Sequence, residues 1–510
     1  MTQVAVASSS RIAAAAGARI ADEGGNAADA AIAAALVSIT TEPAVCAPGS
    51  GGFVTVWPAA GDPVTIDGNV AMPGFGLRED ERGRGAREVF VEYGGGLRTL
   101  VGHGSIATPG AFAALGAASQ RYGRLPWSAL MQPAYEWARD GFPLPAPSHE
   151  YLKCAHEIVF GKDPRSHNAL HDDRGELKGV GNLIHVEDLP ESLERLAEHG
   201  VRDFYEGELA RLIAEDSRRH EGALTYADLT GYAAIDRVPL QVRLADWRVA
   251  TNPPPAVGGV TLSAMLSLMH GQPFERWDEA AAARLVRVQE LVLGYRRERL
   301  DFSNDFDADA LALLERCRRG ELARALSAPS TVHTSSVDDH GLACAITLSA
   351  GYGSGVIPPG TGMWMNNCLG EIELNRRGLV GSPPGTRLPS NMAPTVARCN
   401  DGAVLAIGSP GADRITTALL CTIVGYMELG MSLPDAVRHP RAHLEFRDDG
   451  QRVAYEAGMP VEKLGLPTRR YEDLSMYFGG VGAVLWSPRD GFITAADPRR
   501  TGGEARGGRA

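Results

Sequence analysis

The chain has 510 residues, carries 62 acidic against 50 basic side chains for a formal net charge of −12, and is 44% hydrophobic and 22% charged. These values exclude a disordered, collagen-like or coiled-coil chain, and the acidic balance argues against a nucleic-acid partner, which needs clustered Lys and Arg to neutralise phosphate. A chain this long can bury a sizeable core, either as several domains or as one large layered enzyme fold.

The start, MTQVAVASSSRIAAAAGARIADEGG, has no basic n-region leading into an unbroken apolar run, and Arg11, Arg19, Asp22 and Glu23 interrupt it, so no signal peptide is expected. Ile12, Ala15, Ala16 and Ile20 give a helical stripe that Gly24-Gly25 stops. Asn26 is then placed to cap a second helix, AADAAIAAALVSI. The most apolar stretch, Ala30 to Ile39, is about half a membrane span, so no membrane association is expected. A Gly-rich turn, CAPGSGGF, feeds two short strands parted by Gly61-Asp62-Pro63, and Arg78 to Gly96 reads as an exposed loop.

From Gly110 to Arg243 helical patterns dominate, among them LPWSALMQPAYEWARDG and LPESLERLAEHG, each ended by glycine. WRVATNPPPAVGGVTLSAMLSLMHG reads as a strand, a proline-rich turn and a helix, and a further helical region runs from Asp278 to Leu326. Thr331 to Ser349 alternates around Asp338-Asp339-His340-Gly341 as a β-hairpin. The remainder is strand- and turn-rich, with one long helix from Ala412 to Leu429 and a tail, TGGEARGGRA, expected to fray. The seven cysteines are dispersed, odd in number and never in a CxxC pair, a pattern that suits reduced thiols in a cytoplasm.

The motifs GxxxxGK[ST], HExxH and GxSxG are absent. His149-Glu150 and His156-Glu157 are sequence neighbours, which do not share a helix face, so they read as solvated surface and no metal site is expected. No cofactor is expected either. The informative stretches are STVHTSSVDDHGLACAITLSAGYGSGVIPPGTGMWMNN (Ser330 to Asn367), LPSNMAPTV (Leu388 to Val396) and IGSPGADRI (Ile407 to Ile415). With GGNAADAA, EPAVCAPGSGGF, TPGAFAAL, QPAYEWARDGF and PPPAVGG, these segments resemble γ-glutamyltranspeptidases, of the N-terminal-nucleophile hydrolase superfamily, in the same order and across nearly the whole chain.

The resemblance implies an α+β fold, a four-layer αββα sandwich, in a precursor that cuts itself between Ser330 and Thr331. Residues 1–330 and 331–510 are then the two parts of one folding unit, held together as a heterodimer. Thr331 becomes the nucleophile, with its own new α-amino group, of ordinary pKa about 7.7–8.0, as general base. Because that base exists only after cleavage, processing and activation are a single event. Thr347, on the returning strand, is expected to orient the nucleophile, with plain cross-strand packing as the alternative. The amides of Gly411 and Ala412, before the long helix, are expected to form the oxyanion hole, although the family carries two glycines there.

Substrate contacts carried over from the family fall on Ser390 and Asn391 for an α-carboxylate, Glu371 for an α-amino group, and Ser349 in place of an asparagine. In VTIDGNVAMP the family's recognition arginine falls on Gly68, followed by Asn69, which removes a bidentate carboxylate contact that Arg78 or Arg87 would have to replace. The loop from Glu371 to Arg387 is also short, leaving a more open pocket. The partner is therefore a small-molecule amide or acyl substrate, γ-glutamyl in the first reading. Alternatives are a related acyl group, as in acylases or oxamate amidohydrolases, a C–C bond in alkylproline antibiotic biosynthesis, or an unprocessed homologue that only binds.

Overall fold

Strand Val332–Asp338 is buried at every position, and so is its hairpin partner Ala343–Ser349. No face of the hairpin is left to solvent, and the reason is a layer on either side. The computed structural model describes residues 2–93, 96–271, 274–319, 331–447 and 450–508. Within them, a seven-stranded sheet runs in the order Gly503–Gly507, Val4–Ser8, Val332–Asp338, Ala343–Ser349, Gly51–Trp57, Val64–Gly68 and Ile235–Arg237. A six-stranded sheet runs Gly491–Ala496, Gly482–Ser487, Val404–Gly408, Thr395–Cys399, Trp247–Thr251 and Leu240–Leu244. Every neighbouring pair in both sheets is antiparallel.

Side-chain period places alternate residues of the central hairpin in different cores. Val332, Cys344, Ile346 and Leu348 join the cluster under the helices Arg11–Asp22, Ala27–Thr41, Ala111–Tyr122 and Trp127–Asp140. Val337, Ala343 and Ala345 face the other way, against Val396, Val404, Ala406 and Val484 of the second sheet. The outer face of that sheet is covered by the helices Val257–Met269, Glu279–Glu298, Phe306–Arg319 and Arg414–Met427. The layers are helix, sheet, sheet, helix, as the resemblance implies.

Helix Ala27–Thr41 is buried all round, which matches its apolar composition. Asn26 caps it as its sequence suggests, with Oδ1 accepting from Ala28 N and Asp29 N while Asp29 returns a bond to Asn26 N. The hairpin register, Val332↔Leu348 to Val337↔Ala343, also follows the expected turn.

Two expectations are corrected. The tail is no frayed end: Gly503–Gly507 pairs along Val4–Ser8, a strand the sequence reading missed. Its glycines allow that closeness, since a Cβ at Gly507 would stand 2.1 Å from Ala18 O. The segment 78–96 is not simply loop, because Arg87–Val91 pairs with Leu97–Val101. The helical region expected from Asp278 consists of two helices, Glu279–Glu298 and Phe306–Arg319, and its residues 320–326 lie outside the described part, as does Ser330.

Candidate active site

Thr331 precedes the central strand Val332–Asp338, and it is buried. One small pocket is lined by Thr331, Ser349, Glu371, Ser390 and Asn391 together with Asn69, Val70 and Cys368. The nucleophile and the four substrate-binding residues expected from sequence therefore meet at one place, although they come from positions 331 to 391. The hairpin delivers Thr331 and Ser349. The segment 388–392 is held against the start of helix Val257–Met269, where Gly258 N donates to Ser390 O at 3.0 Å. Arg296, fully buried, donates to Asn391 Oδ1 at 2.6 Å and to Asp301 Oδ1 at 3.0 Å. That contact fixes the oxygen end of the Asn391 amide and leaves its NH2 as the donor end.

Thr347 faces His333, its register partner, across the hairpin. Its Oγ1 is 2.8 Å from His333 Nδ1, and His333 Nε2 is 2.7 Å from Ser335 Oγ. Burial lowers the His333 pKa to about 3, so the ring is neutral and one nitrogen donates while the other accepts. Ser335 gives its proton to Gly482 O at 3.1 Å, hence accepts from Nε2–H, and Nδ1 in turn accepts from the Thr347 hydroxyl. The Thr347 oxygen keeps its lone pairs for a donor on its own face of the strand, the face of Thr331. The ring fits because the second sheet has glycine opposite: a Cβ at Gly408 would come within 2.2 Å of His333 Cε1.

Glu371 is buried with no ion pair to a basic side chain among the described residues. Burial, with Glu373 nearby adding repulsion, pushes its carboxyl well above the usual range. Burial also pushes Glu373 up to about 7, and Tyr352 donates to it at 2.8 Å. A buried carboxyl without a cation is costly, and a cationic group on a ligand would offset that cost.

Gly411 and Ala412 line a different pocket, with Tyr352, Arg414 and Arg500, and do not line the pocket of Thr331 itself. Both have left-handed backbones, φ +120° and +69°, and among the described residues neither amide has an acceptor. Two consecutive unpaired N–H groups before a helix suit an anion.

The recognition arginine needs a correction of position. A Cβ at Gly68 would point at Ala114 and Gly110 O, 2.5 Å from each, away from the pocket, whereas Asn69 and Val70 line it. Asn69 spends its amide on Leu388 O at 2.7 Å. Neither proposed substitute reaches the pocket: Arg78 pairs with Asp80 at the surface and Arg87 donates to Ile158 O.

His333, Ser335, Glu373 and Arg296 were missed in the sequence. The spacing of two from Thr331 was a usable signal for His333 and Ser335; Arg296, on a distant helix, had none. Among the described residues one His/Asp set has metal-like proximity, His103, Asp216 and His220, with candidate ligand atoms within 4.8 Å. Its imidazoles stack at 4.2 Å and its donors are spent on Asp216, from His103 Nε2 at 2.9 Å and from His220 Nδ1 to the backbone oxygen at 2.9 Å. Stacked rings do not converge on one ion.

With this geometry in place, the chain matches the γ-glutamyltranspeptidase family model over residues 13–507. It belongs to that family. It is 28% identical to the glutathione hydrolase proenzyme of Escherichia coli K12 over 95% of this chain and 88% of the relative. It is also 28% identical to the acylase ACY 1 proenzyme of Pseudomonas sp. strain V22, over 95% and 90%. Among solved structures it is similar to the cephalosporin acylase from Bacillus halodurans, with a TM-score of 0.79 and 25% identity over 99% of this chain and 96% of that one. As a family member it is a hydrolase of the N-terminal-nucleophile type.

Proposed function

We propose that the γ-glutamyltranspeptidase-family chain cuts itself between Ser330 and Thr331, and that Thr331 then cleaves the amide of a γ-glutamyl or related acyl group. One observation carries this reading: Thr331 shares a single pocket with Glu371, Ser390, Asn391 and Ser349. The Thr331 α-amino group takes the hydroxyl proton as Oγ attacks the carbonyl, and returns it to the leaving amine. Thr347, its own proton held by His333, accepts from an N–H of the Thr331 α-amino group and so aims that group's lone pair at the hydroxyl proton. The Gly411 and Ala412 amides stabilise the oxyanion, which requires the reacting carbonyl to lie between them and Thr331. Glu371 receives the substrate amine, and Ser390 with the Asn391 NH2 receives its carboxylate. Water or an amine then releases the acyl group from Thr331, and residues 1–330 and 331–510 stay together.

A second acyl group is favoured by one observation, that the pocket wall at Asn69 and Val70 carries no basic side chain and that neither Arg78 nor Arg87 reaches it. We read the compartment as cytoplasmic, a reading supported by seven unpaired cysteines.

Purified protein is expected to run as two pieces on a denaturing gel and Thr331→Ala as one; a wild-type chain that stays whole on incubation sinks the self-processing. For the pocket, Glu371→Gln is expected to raise KM for γ-glutamyl-4-nitroanilide at least 30-fold while changing that for glutaryl-4-nitroanilide, which lacks the amine, less than threefold. Equal effects on both would remove Glu371 from amine recognition.

A further inference from the structure

Beside the pocket of Thr331 lies a larger cavity of about 430 Å³, and Leu374 and Pro389 form part of the wall of both. Arg237, Arg376, Arg377 and Arg387 line it. The carboxylates available to them are few. Buried Asp67 serves two guanidiniums, Arg237 Nε at 2.6 Å and Arg387 Nε at 3.5 Å. Asp301 is divided in the same way, between Arg296 Nε at 3.0 Å and Arg376 Nε at 3.7 Å. Arg377 donates to the neutral Asn304 Oδ1 at 2.5 Å. With Asp307 added, five guanidiniums meet three carboxylates, and the cavity is left with an excess of positive charge.

The excess is built in. The Arg387 side chain is only 8% exposed, stacks on Tyr232 at 4.1 Å and donates to Ala233 O at 2.5 Å. Arg376 lies over the ring of Phe302 at 5.5 Å. Even so, Nε of both Arg376 and Arg387 is buried and faces its carboxylate, Asp301 at 3.7 Å and Asp67 at 3.5 Å, without hydrogen-bond geometry. A guanidinium held rigid and left short of acceptors is a fork awaiting a planar anion, and a cleft of one sign concentrates the opposite charge.

We infer that this cavity is an anion subsite for the substrate. It takes a carboxylate or similar oxyanion borne beyond the group that Glu371, Ser390 and Asn391 hold, and as a substrate subsite it rests on Thr331 being the nucleophile. The anion belongs to the far end of the acyl chain or to the departing amine, and the chemistry recognised is the same for both.

The test has two arms on the processed enzyme. One compares pimeloyl- with hexanoyl-4-nitroanilide, whose carboxylate lies two carbons beyond that of a glutaryl group, and the other compares γ-glutamyl-3-carboxy-4-nitroanilide with the uncarboxylated anilide. In one arm the carboxylate is expected to raise kcat/KM at least tenfold, a ratio that falls to within threefold in Arg377→Gln or Arg376→Gln and shrinks as salt rises. Arg377 is exposed, so its variant folds. No carboxylate preference in either arm, or a preference that survives both substitutions and salt, overturns the subsite. Titration with pimelate against neutral pimelamide reads the same cavity without turnover: pimelate is expected to bind at least tenfold tighter, and Arg377→Gln to abolish the difference. An enzyme that cuts itself and hydrolyses neutral anilides but fails these tests loses only the subsite. One that passes the titration but never cuts itself loses the reading of Thr331 and keeps the anion site.

Discussion

His333 Nδ1 lies 2.8 Å from the hydroxyl of Thr347, its partner across the central hairpin. The contact turns a threonine that packs between strands into one whose proton is already committed. Thr347→Val keeps shape and removes the hydroxyl, leaving Nδ1 buried without a donor. The expected cost is about 1–3 kcal/mol of stability, read by denaturant unfolding, with slower appearance of the two processed pieces. Thr347→Ser, which retains the hydroxyl, is expected to restore processing; equal processing by Val and Ser variants would reduce Thr347 to packing.

The same imidazole makes stability depend on pH. Its folded pKa, about 3, is depressed below the unfolded value of about 6.5 by burial. Between those values the unfolded chain binds the proton and the folded one does not, so stability is lost as pH falls from 6.5 toward 3. Glu42 and Glu373, both pushed up to about 7 by burial, act in the opposite sense between pH 4.5 and 7. Comparison with His333→Gln removes those shared contributions. The wild type's advantage over the variant is expected to shrink by roughly 2–3 kcal/mol between pH 7.5 and 4.5. A constant advantage would mean the ring is charged or solvated in the folded chain.

How much of this was legible in the sequence depended on where the information is local. The cap at Asn26, the turn at Asp338 to Gly341 and the order of motifs around Thr331 are short-range patterns, and they lead to the layers and to the pocket residues. Strand Val4–Ser8 was hidden because it is buried on both faces and so does not alternate. The tail was misread because its glycines, taken as looseness, serve close approach to helix Arg11–Asp22. Gly68, on which the resemblance places the family's arginine, faces Ala114 and Gly110 while its neighbour Asn69 lines the pocket, an exchange of faces that the sequence does not display. Arg296 behind Asn391 and the four arginines beside Leu374 come from segments far apart in sequence, and no local pattern announces them.

Ala412 carries φ +69°, a left-handed conformation that costs an L-residue with a Cβ roughly 1–2 kcal/mol. Ala412→Gly removes that strain at some cost in unfolded-state entropy. A net gain of about 0.5–1 kcal/mol is expected, read as a rise in the denaturation midpoint with an unchanged m-value. A loss of stability would mean that contacts of the Ala412 methyl group outweigh the strain.

The γ-glutamyl reading of the pocket is tested most directly at Asn69. An arginine at Gly68 would start from a Cβ 2.5 Å from Ala114 Cβ and Gly110 O, and Gly68→Arg is expected to give insoluble or unprocessed protein. Asn69 lines the pocket, and its side chain holds only Leu388 O. Asn69→Arg gives up that bond, of about 1 kcal/mol, and returns a guanidinium to the wall facing Ser390 and Asn391. If the acyl group is γ-glutamyl, kcat/KM for γ-glutamyl-4-nitroanilide is expected to rise at least tenfold, chiefly through KM, because a bidentate carboxylate contact is regained. If processed Asn69→Arg shows no gain on this anilide and the wild type still turns over other acyl anilides, the natural acyl group has no carboxylate at that wall.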